Sequence, residues 1–228
     1  MKNKIDFDEF IFKAVKRHHS DDKNDEPTRK KRKNKASWKD GLYAYIRGED
    51  PAIVLRTKTG IFVSDKYPKA KIHLLLLPKE TSPLFEREGG VEDLKKSDLK
   101  ELREFHEAAK TFVRNHYKGQ MFRIGYHKIP SMRPLHLHII SCDFQSDRLK
   151  NKKHWNSFTT SFFIETDKIE AELNRAGRVT VDRYAMKALL KSSLKCHRCD
   201  EILRNMPALK RHIKQCDSRG YNFEVFKA

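Results

Sequence analysis

The chain has 228 residues and carries 49 Lys and Arg against 31 Asp and Glu, a formal net charge of +18. That length suits one sizeable core plus a small appended module, and the charge exceeds what solubility requires, so a polyanionic partner such as nucleic acid is expected. No apolar run approaches the ~20 residues of a membrane-spanning helix, and neither a lipidation signal nor a signal-peptide core is visible, so the expectation is a soluble intracellular protein with no membrane partner.

Residues 1–36 are dominated by charge, as in KRHHSDDKNDEPTRKKRKNK. Their apolar content is too low to offset the entropy of ordering, and a disordered basic arm is expected. Within it RKKRKNK, Arg29 to Lys35, fits a nuclear localisation patch, a nonspecific nucleic-acid contact, or both. The arm could also recruit a protein partner.

Ordered structure is expected to start at SWKDGLYAYIRG. Ser37 is a suitable N-cap with Asp40 three residues on, and Gly48 can close the helix. Trp38, Leu42 and Tyr45 would then share one face, which either packs into the core or stacks on a base beside a basic cleft.

AIVLR and GIFVS, flanking TKTG, read as a hairpin over Ala52 to Ser64. KIHLLLLP, Lys71 to Pro78, reads as a strand buried on both faces and ended by proline. From Val91 to Tyr117 apolar residues recur at helical spacing (Leu94, Leu99, Leu102, Phe105, Ala109, Phe112, Val113), and Gly119 follows as a stop. MFRIGY and LHLHIIS, from Met121 and Leu135, complete the strands. Helix, hairpin, strand, long helix and two strands in that order predict an α+β fold with a mainly antiparallel sheet and a helix over one face.

In LHLHIIS side chains alternate, so His136 and His138 project to one face while Leu135, Leu137 and Ile139 project to the other. Two imidazoles on one buried face need two sets of hydrogen-bond partners, which favours function over packing. One option is a metal, with a third ligand from His73, His127 or Asp65. The other is nucleophilic attack at phosphorus by a neutral imidazole.

DRLKNKKHWNSF follows with Lys150, Lys152, Lys153 and His154 beside Trp155. Next to such a site a charge run favours contacts with a phosphate backbone. Finally, CHRCDEILRNMPALKRHIKQC places Cys196, Cys199, His212 and Cys216 at the spacing of a closed tetrahedral zinc site, a structural rather than a catalytic one. Three of the four cysteines fall in this cluster, which argues against a disulfide framework; Cys142 stands apart. His197, inside the knuckle, is a weaker competitor for ligation. The helix of this module, about Pro207 to Gln215, carries Lys210, Arg211 and Lys214, which can meet phosphates.

LHLHII with the upstream VSDKYPKAKIHLLLLPK resembles the histidine-triad nucleotide hydrolases and transferases. YPKAKIH, GYHKIPSM, HLHIIS and NKKHWNSF, followed by the zinc-type tail, are most similar to the DNA 5′-adenylate hydrolases of that superfamily, over roughly residues 37–217. The resemblance implies a catalytic domain over residues 37–165 and a helical linker with a DNA-binding zinc finger over 166–228. It also implies that His136 attacks the adenylate phosphorus to give a covalent adenylyl-histidine that water hydrolyses to AMP, with His138, His73 and Ser131 on the phosphate. Asp65 would hold the ribose hydroxyls, Ile61 and Phe62 would lie near adenine, and Lys69 is a further cationic donor. Pro134 stands where the triad pattern has its first histidine; proline keeps its carbonyl, the group that anchors the nucleophile's other nitrogen. The expected substrate is a nicked or broken DNA duplex bearing a 5′-adenylate, processed in the nucleus with structural Zn²⁺ and no divalent metal in catalysis. A small-nucleotide hydrolase and a non-catalytic zinc-finger DNA-binding protein are the rival readings.

Overall fold

The structure, a computed structural model, describes residues 38–48 and 50–228. The expected basic arm, its nuclear localisation patch and the Ser37 N-cap lie outside the described residues.

Six strands form one antiparallel path in the order β1-β2-β3-β5-β4-β6: β1 (Ile53–Arg56), β2 (Gly60–Ser64), β3 (His73–Pro78), β4 (Met121–His127), β5 (Leu137–Ser141) and β6 (Phe163–Glu165). The hairpin, the leucine strand and the two later strands stand where the sequence placed them. β3 is buried along its whole length, as its unbroken leucine run requires.

The expected helix over Val91 to Tyr117 is shorter. Helix α2 spans Leu99–His116, preceded by 3-10 turns at Gly90–Asp93 and Lys96–Asp98. Lys95 is extended, and Asp98 holds the entry by accepting from the Lys95 N–H and from both sides of the Arg87 guanidinium fork. The N-terminal helix is also broken. A 3-10 turn at Trp38–Asp40 precedes α1 (Tyr43–Arg47), and Trp38 is 65% exposed whereas Leu42 is 3% exposed, so the expected aromatic stripe is split. Gly41 sits at this break, where a Cβ would come within 3.0 Å of Met132.

Alternation divides the core in two. Phe62, Leu74, Leu76, Leu137 and Ile139 face α2 and α4 (Thr166–Ala176), whose Leu102, Phe105, Ala109 and Leu173 are fully buried there. On the opposite face, Ile61, Val63, Leu75 and Leu77 meet Leu42 and Ile46 of the α1 segment. Farther along that face Ile140 and Phe163 meet Trp155 and Phe158 of α3 (Lys152–Thr159), together with the C-terminal module. Each buried leucine-sized side chain contributes about 1.5–3 kcal/mol of transfer free energy, so this pattern sets the register of every strand.

α5 (Arg183–Leu189) leads to a small hairpin, β7 (Leu194–Lys195) with β8 (Ile202–Leu203), and then to α6 (Met206–Gln215). Asn205 caps α6 by accepting from the Ala208 N–H. The chain ends on the main sheet, where β9 (Phe226–Lys227) pairs with β4. Leu194, Cys196, Leu209 and Ile213 share a core with Trp155 and Phe158, so the two modules are joined through one apolar cluster.

Under the junction Arg123 is 2% exposed. Its guanidinium bonds Glu165 and the Phe158 carbonyl and lies 4.1 Å from the Phe223 ring centroid. Burial and charge pairing oppose each other here, and the hydrogen bonds on both partners are what make a buried pair tolerable.

Candidate active site

A cavity of about 350 Å³ opens on the sheet face between α1 and α3. Four buried histidines from the sheet line it, His73 from β3, His127 from β4, and His136 and His138 from β5 and its approach, with half-buried His154 a fifth at its rim. Register explains the convergence. Leu75 pairs with His138 and His73 with Ile140, so these side chains share one face, while Gly125 opposite His138 lets β6 approach closely, since a Cβ there would run into the Ile164 carbonyl oxygen.

The hydrogen-bond partners fix the tautomers. His136 Nδ1 lies 2.9 Å from the Pro134 carbonyl oxygen, so Nδ1 carries the proton and Nε2 keeps its lone pair. The Lys69 N–H donates to Nδ1 of His73 at 3.2 Å, which leaves the proton on Nε2. That Nε2–H donates to His138 Nδ1 at 3.0 Å, so His138 carries its proton on Nε2. Among the described residues His138 Nε2 is buried without a hydrogen-bond partner, and so is His127 Nε2. Two unpaired polar nitrogens in one cavity are expensive unless a ligand meets them.

Burial keeps all four rings neutral. Desolvation pushes the His73 imidazole down to about 4, with the Asp65 carboxylate opposing the shift. His136 is also lowered by burial, and His127 and His138 lie well below the ordinary imidazole range for the same reason, their neighbouring histidines adding to it. A neutral His136 presents a nucleophilic nitrogen at physiological pH.

Asp65, Lys69 and Ser131 also line the cavity. Asp65 Oδ2 is 3.7 Å from His73 Nε2, and its Oδ1 accepts from the Tyr67 N–H at 2.7 Å. The Lys69 ammonium bonds the Tyr67 carbonyl, and burial lowers its pKa. Ile61 is buried in the cluster beneath Leu42, which itself forms a cavity wall. Phe62 is a correction: strand alternation sends it to the opposite face, where it stacks on Phe112 at 4.4 Å and has no access to the cavity. Leu42 takes the core-packing alternative, which corrects its placement among the DNA-contact candidates and leaves Trp38 and half-buried Tyr45 as the accessible members of the expected stripe.

Lys153 and His154 reach the cavity from the first turn of α3, where Asn151 caps the helix by accepting from the His154 N–H. Lys150 and Lys152 are exposed beside them, as are Arg211 and Lys214 on α6. Lys210 differs, because its ammonium donates to the Ser146 carbonyl at 2.9 Å and ties α6 to the turn after β5. Sequence reasoning weighed His127 only as a metal ligand. Its signal lay in GYHKIP, where alternation from Gly125 puts it on the same face as His138.

At the other end of the chain Cys196, Cys199, His212 and Cys216 bring their ligand atoms within 4.8 Å of one another. Zn–S bonds of about 2.3 Å give a tetrahedral edge of about 3.8 Å. Cys196 Sγ and Cys216 Sγ are 3.8 Å apart, and Cys199 Sγ lies 3.2 Å from His212 Nε2. His212 Nδ1 is 3.2 Å from Glu201 Oε2, the carboxylate partner that turns Nε2 toward a metal. This donor set fits a closed structural zinc site. His197 is not part of it.

Comparison with known proteins agrees with both halves. Residues 40–154 match the family described as scavenger mRNA decapping enzyme C-term binding, and residues 159–219 match the C2HE / C2H2 / C2HC zinc-binding finger. The chain is 44% identical over 162 residues to transcription factor bHLH140 of Arabidopsis thaliana, covering 70% of this chain and 17% of that protein. It is 40% identical to aprataxin of Ciona intestinalis over 78% of this chain and 46% of the relative, and 32% identical to the aprataxin-like protein of Schizosaccharomyces pombe over 81% and 84%. The chain thus spans about half the length of the aprataxins of Ciona intestinalis and Gallus gallus. The crystal structure of the aprataxin ortholog Hnt3 in complex with DNA superposes with a TM-score of 0.61 at 27% identity, covering 78% of this chain and 94% of that one. A histidine-triad-like sheet with a zinc finger packed on it, shared with these relatives over both modules, makes this chain a member of the aprataxin family.

Proposed function

We propose that the protein removes AMP from 5′-adenylated DNA ends, the products of abortive ligation, through a covalent adenylyl intermediate on His136. The observation that carries this reading is the His136–Pro134 hydrogen bond, which aims an unprotonated Nε2 into a cavity sized for a mononucleotide. Pro134 supplies a carbonyl, so a proline at the first triad position is compatible with an oriented nucleophile.

His136 Nε2 attacks the adenylate phosphorus, a P–N bond forms, and the P–O bond to the DNA 5′-phosphate breaks. The phosphate departs as a good leaving group, and water then cleaves the P–N bond to release AMP. Charge on the transferring phosphoryl oxygens is met by the Nε2–H of His138, held by His73, with His127, Ser131 and Lys69 close by. Asp65 receives the ribose hydroxyls. The proton on His73 Nε2 already fills the gap to His138, so these two rings offer no shared lone pairs to a cation. This supports catalysis without a divalent metal, although Asp65, His73 and His138 stand close together.

The polymer half of the substrate meets the net charge of +18, with Lys150, Lys152, Lys153, His154, Arg211 and Lys214 on the phosphate backbone and Trp38, with Tyr45, on the exposed base pair at a nick. Lys210 serves the junction between the modules. Action in DNA repair and residence in the nucleus belong to the same proposal, as does the division into an arm, a catalytic domain and a finger.

The test is AMP release from a nicked duplex bearing a 5′-adenylate, with EDTA present and the zinc content checked afterwards, for the wild type and His136→Ala. Release by the wild type alone supports the reading. No release by the wild type returns the chain to a DNA-binding role. Release that is indifferent to salt, and equally fast from a small adenylated nucleotide, supports a small-nucleotide hydrolase instead.

A further inference from the structure

Between the knuckle cysteines stands a histidine that the metal cluster does not use. His197 is 2% exposed, and its Nε2 lies 3.0 Å from the carbonyl oxygen of Cys142, the residue immediately after β5. Since a carbonyl only accepts, Nε2 carries the proton and donates it. The ring is edge-on to Trp155 at 5.3 Å and to Phe144 at 5.2 Å, and it stacks on Phe223 at 5.9 Å.

A second tie leaves the knuckle from the other side of Cys196. The Trp155 Nε1–H donates to the carbonyl of Lys195 at 2.9 Å. Trp155 is on α3, and one turn later the same helix presents Phe158 to the histidine cluster. Phe158 is edge-on to His73 at 5.2 Å and to His138 at 5.3 Å, both at 89°, and lies 4.6 Å from His127. Among the described residues nothing bonds His138 Nε2, so its ring is oriented by the bond from His73 and by its ring neighbours, Phe158 together with His127 at 4.5 Å and His136 at 5.0 Å.

We infer that the zinc knuckle is a positioning element of the catalytic centre: His197 and Trp155 lock the end of β5 and α3 to the metal-held loop, and Phe158 transmits that lock to His73 and His138. The finger therefore has a role besides nucleic-acid contact. The structural part of this inference stands on packing alone; its kinetic consequence rests on the proposed hydrolase reading. A side chain that slips by about 1 Å can cost up to about a hundredfold in rate.

The experiment uses the full zinc-loaded chain with ¹⁵N-labelled histidines and compares wild type with His197→Phe and His197→Gln. Phenylalanine keeps the aromatic packing and loses the hydrogen bond, whereas glutamine keeps an N–H donor. His106, held by Glu170 at 2.7 Å and the Tyr126 hydroxyl at 3.0 Å on the other side of the sheet, is the internal control. In His197→Phe, zinc stays at wild-type stoichiometry, the His73 and His138 ring signals shift and broaden, and His106 stays in place. Turnover of a small adenylated nucleotide then falls about tenfold in kcat with KM within about twofold, and glutamine restores most of both. Unchanged His73 and His138 signals in His197→Phe overturn the inference. So does an equal shift of His106, which signals general loosening, or loss of zinc, which makes His197 a metal-site residue. If the wild type turns over no adenylated substrate, the hydrolase reading fails while the ring signals still decide the positioning role.

Discussion

His73 donates its Nε2–H to Nδ1 of His138 across 3.0 Å, and the direction of that bond is set on the far side of the His73 ring, where the Lys69 N–H occupies Nδ1. The two rings therefore form one hydrogen-bonded unit, and on the proposed reading its output is the Nε2–H of His138. His73→Ala and His138→Ala are each expected to slow AMP release by about a hundredfold. The double variant should lose less than the product of the two, with a coupling of about 1 kcal/mol or more. Kinetics of the four-member cycle check this; strictly multiplicative losses would mean that the histidines act independently.

For the nucleophile the sharper signature is covalent. His136→Ala should reduce turnover of adenylated DNA by at least about a thousandfold. Wild-type protein quenched under alkaline denaturing conditions should carry an AMP adduct on the His136 peptide in mass spectrometry. An adduct on any other histidine would reassign the nucleophile.

On the proposed reading, DNA contact and chemistry separate at Trp38, which is 65% exposed and outside the cavity lining. Trp38→Ala should weaken processing of a nicked duplex about tenfold, in the range of one lost base–aromatic stack, and affect a small adenylated nucleotide less. Turnover of the duplex at subsaturating concentration should also fall steeply with ionic strength. Equal losses of Trp38→Ala on both substrates would remove Trp38 from the DNA surface.

The buried neutral histidines make stability depend on acid. The folded state holds His73 at about 4, below the usual imidazole value of about 6.5, so below that value the unfolded chain binds protons that the folded chain refuses. The stabilisation is fully present above pH ~6.5 and is lost as the pH falls through His73's folded value, with His127, His136 and His138 shifted in the same direction. Urea midpoints measured from pH 7 down to pH 4 should decline through this window, and substitution of His73 by glutamine should flatten the decline. An unchanged slope would mean that these rings are accessible to protons in the folded protein.

Beneath the junction of the two modules, Arg123→Ala leaves Glu165 buried without its main partner. A loss of about 3–5 kcal/mol is expected from equilibrium unfolding. A cost below 1 kcal/mol would show that Lys168, 2.9 Å from Glu165 Oε2, suffices to hold the carboxylate.

Much of the site was legible because strand periodicity is a local property. Alternation in LHLHIIS puts His136 and His138 on one face, and the chain keeps it although β5 starts only at Leu137, while the spacing of Cys196, Cys199, His212 and Cys216 carried the zinc geometry by itself. The misplacements came where local rules yield to packing. The resemblance puts Phe62 near adenine, and alternation turns it away; the stripe of Trp38, Leu42 and Tyr45 reads as either core packing or base stacking, and a break at Gly41 splits it, with Leu42 in the core and Trp38 outside.

By itself the sequence determined the α+β order, the face of the histidine pair, the metal ligands and the basic charge, all of which depend on residue type at short separation. Only the tertiary structure decided the proton order through Lys69, His73 and His138, the presence of His127 beside them, and the use of Lys210 and His197 to join the modules. Those relations arise between residues far apart in the chain, and hydrogen-bond direction is set only when the fold brings a donor to a particular ring nitrogen.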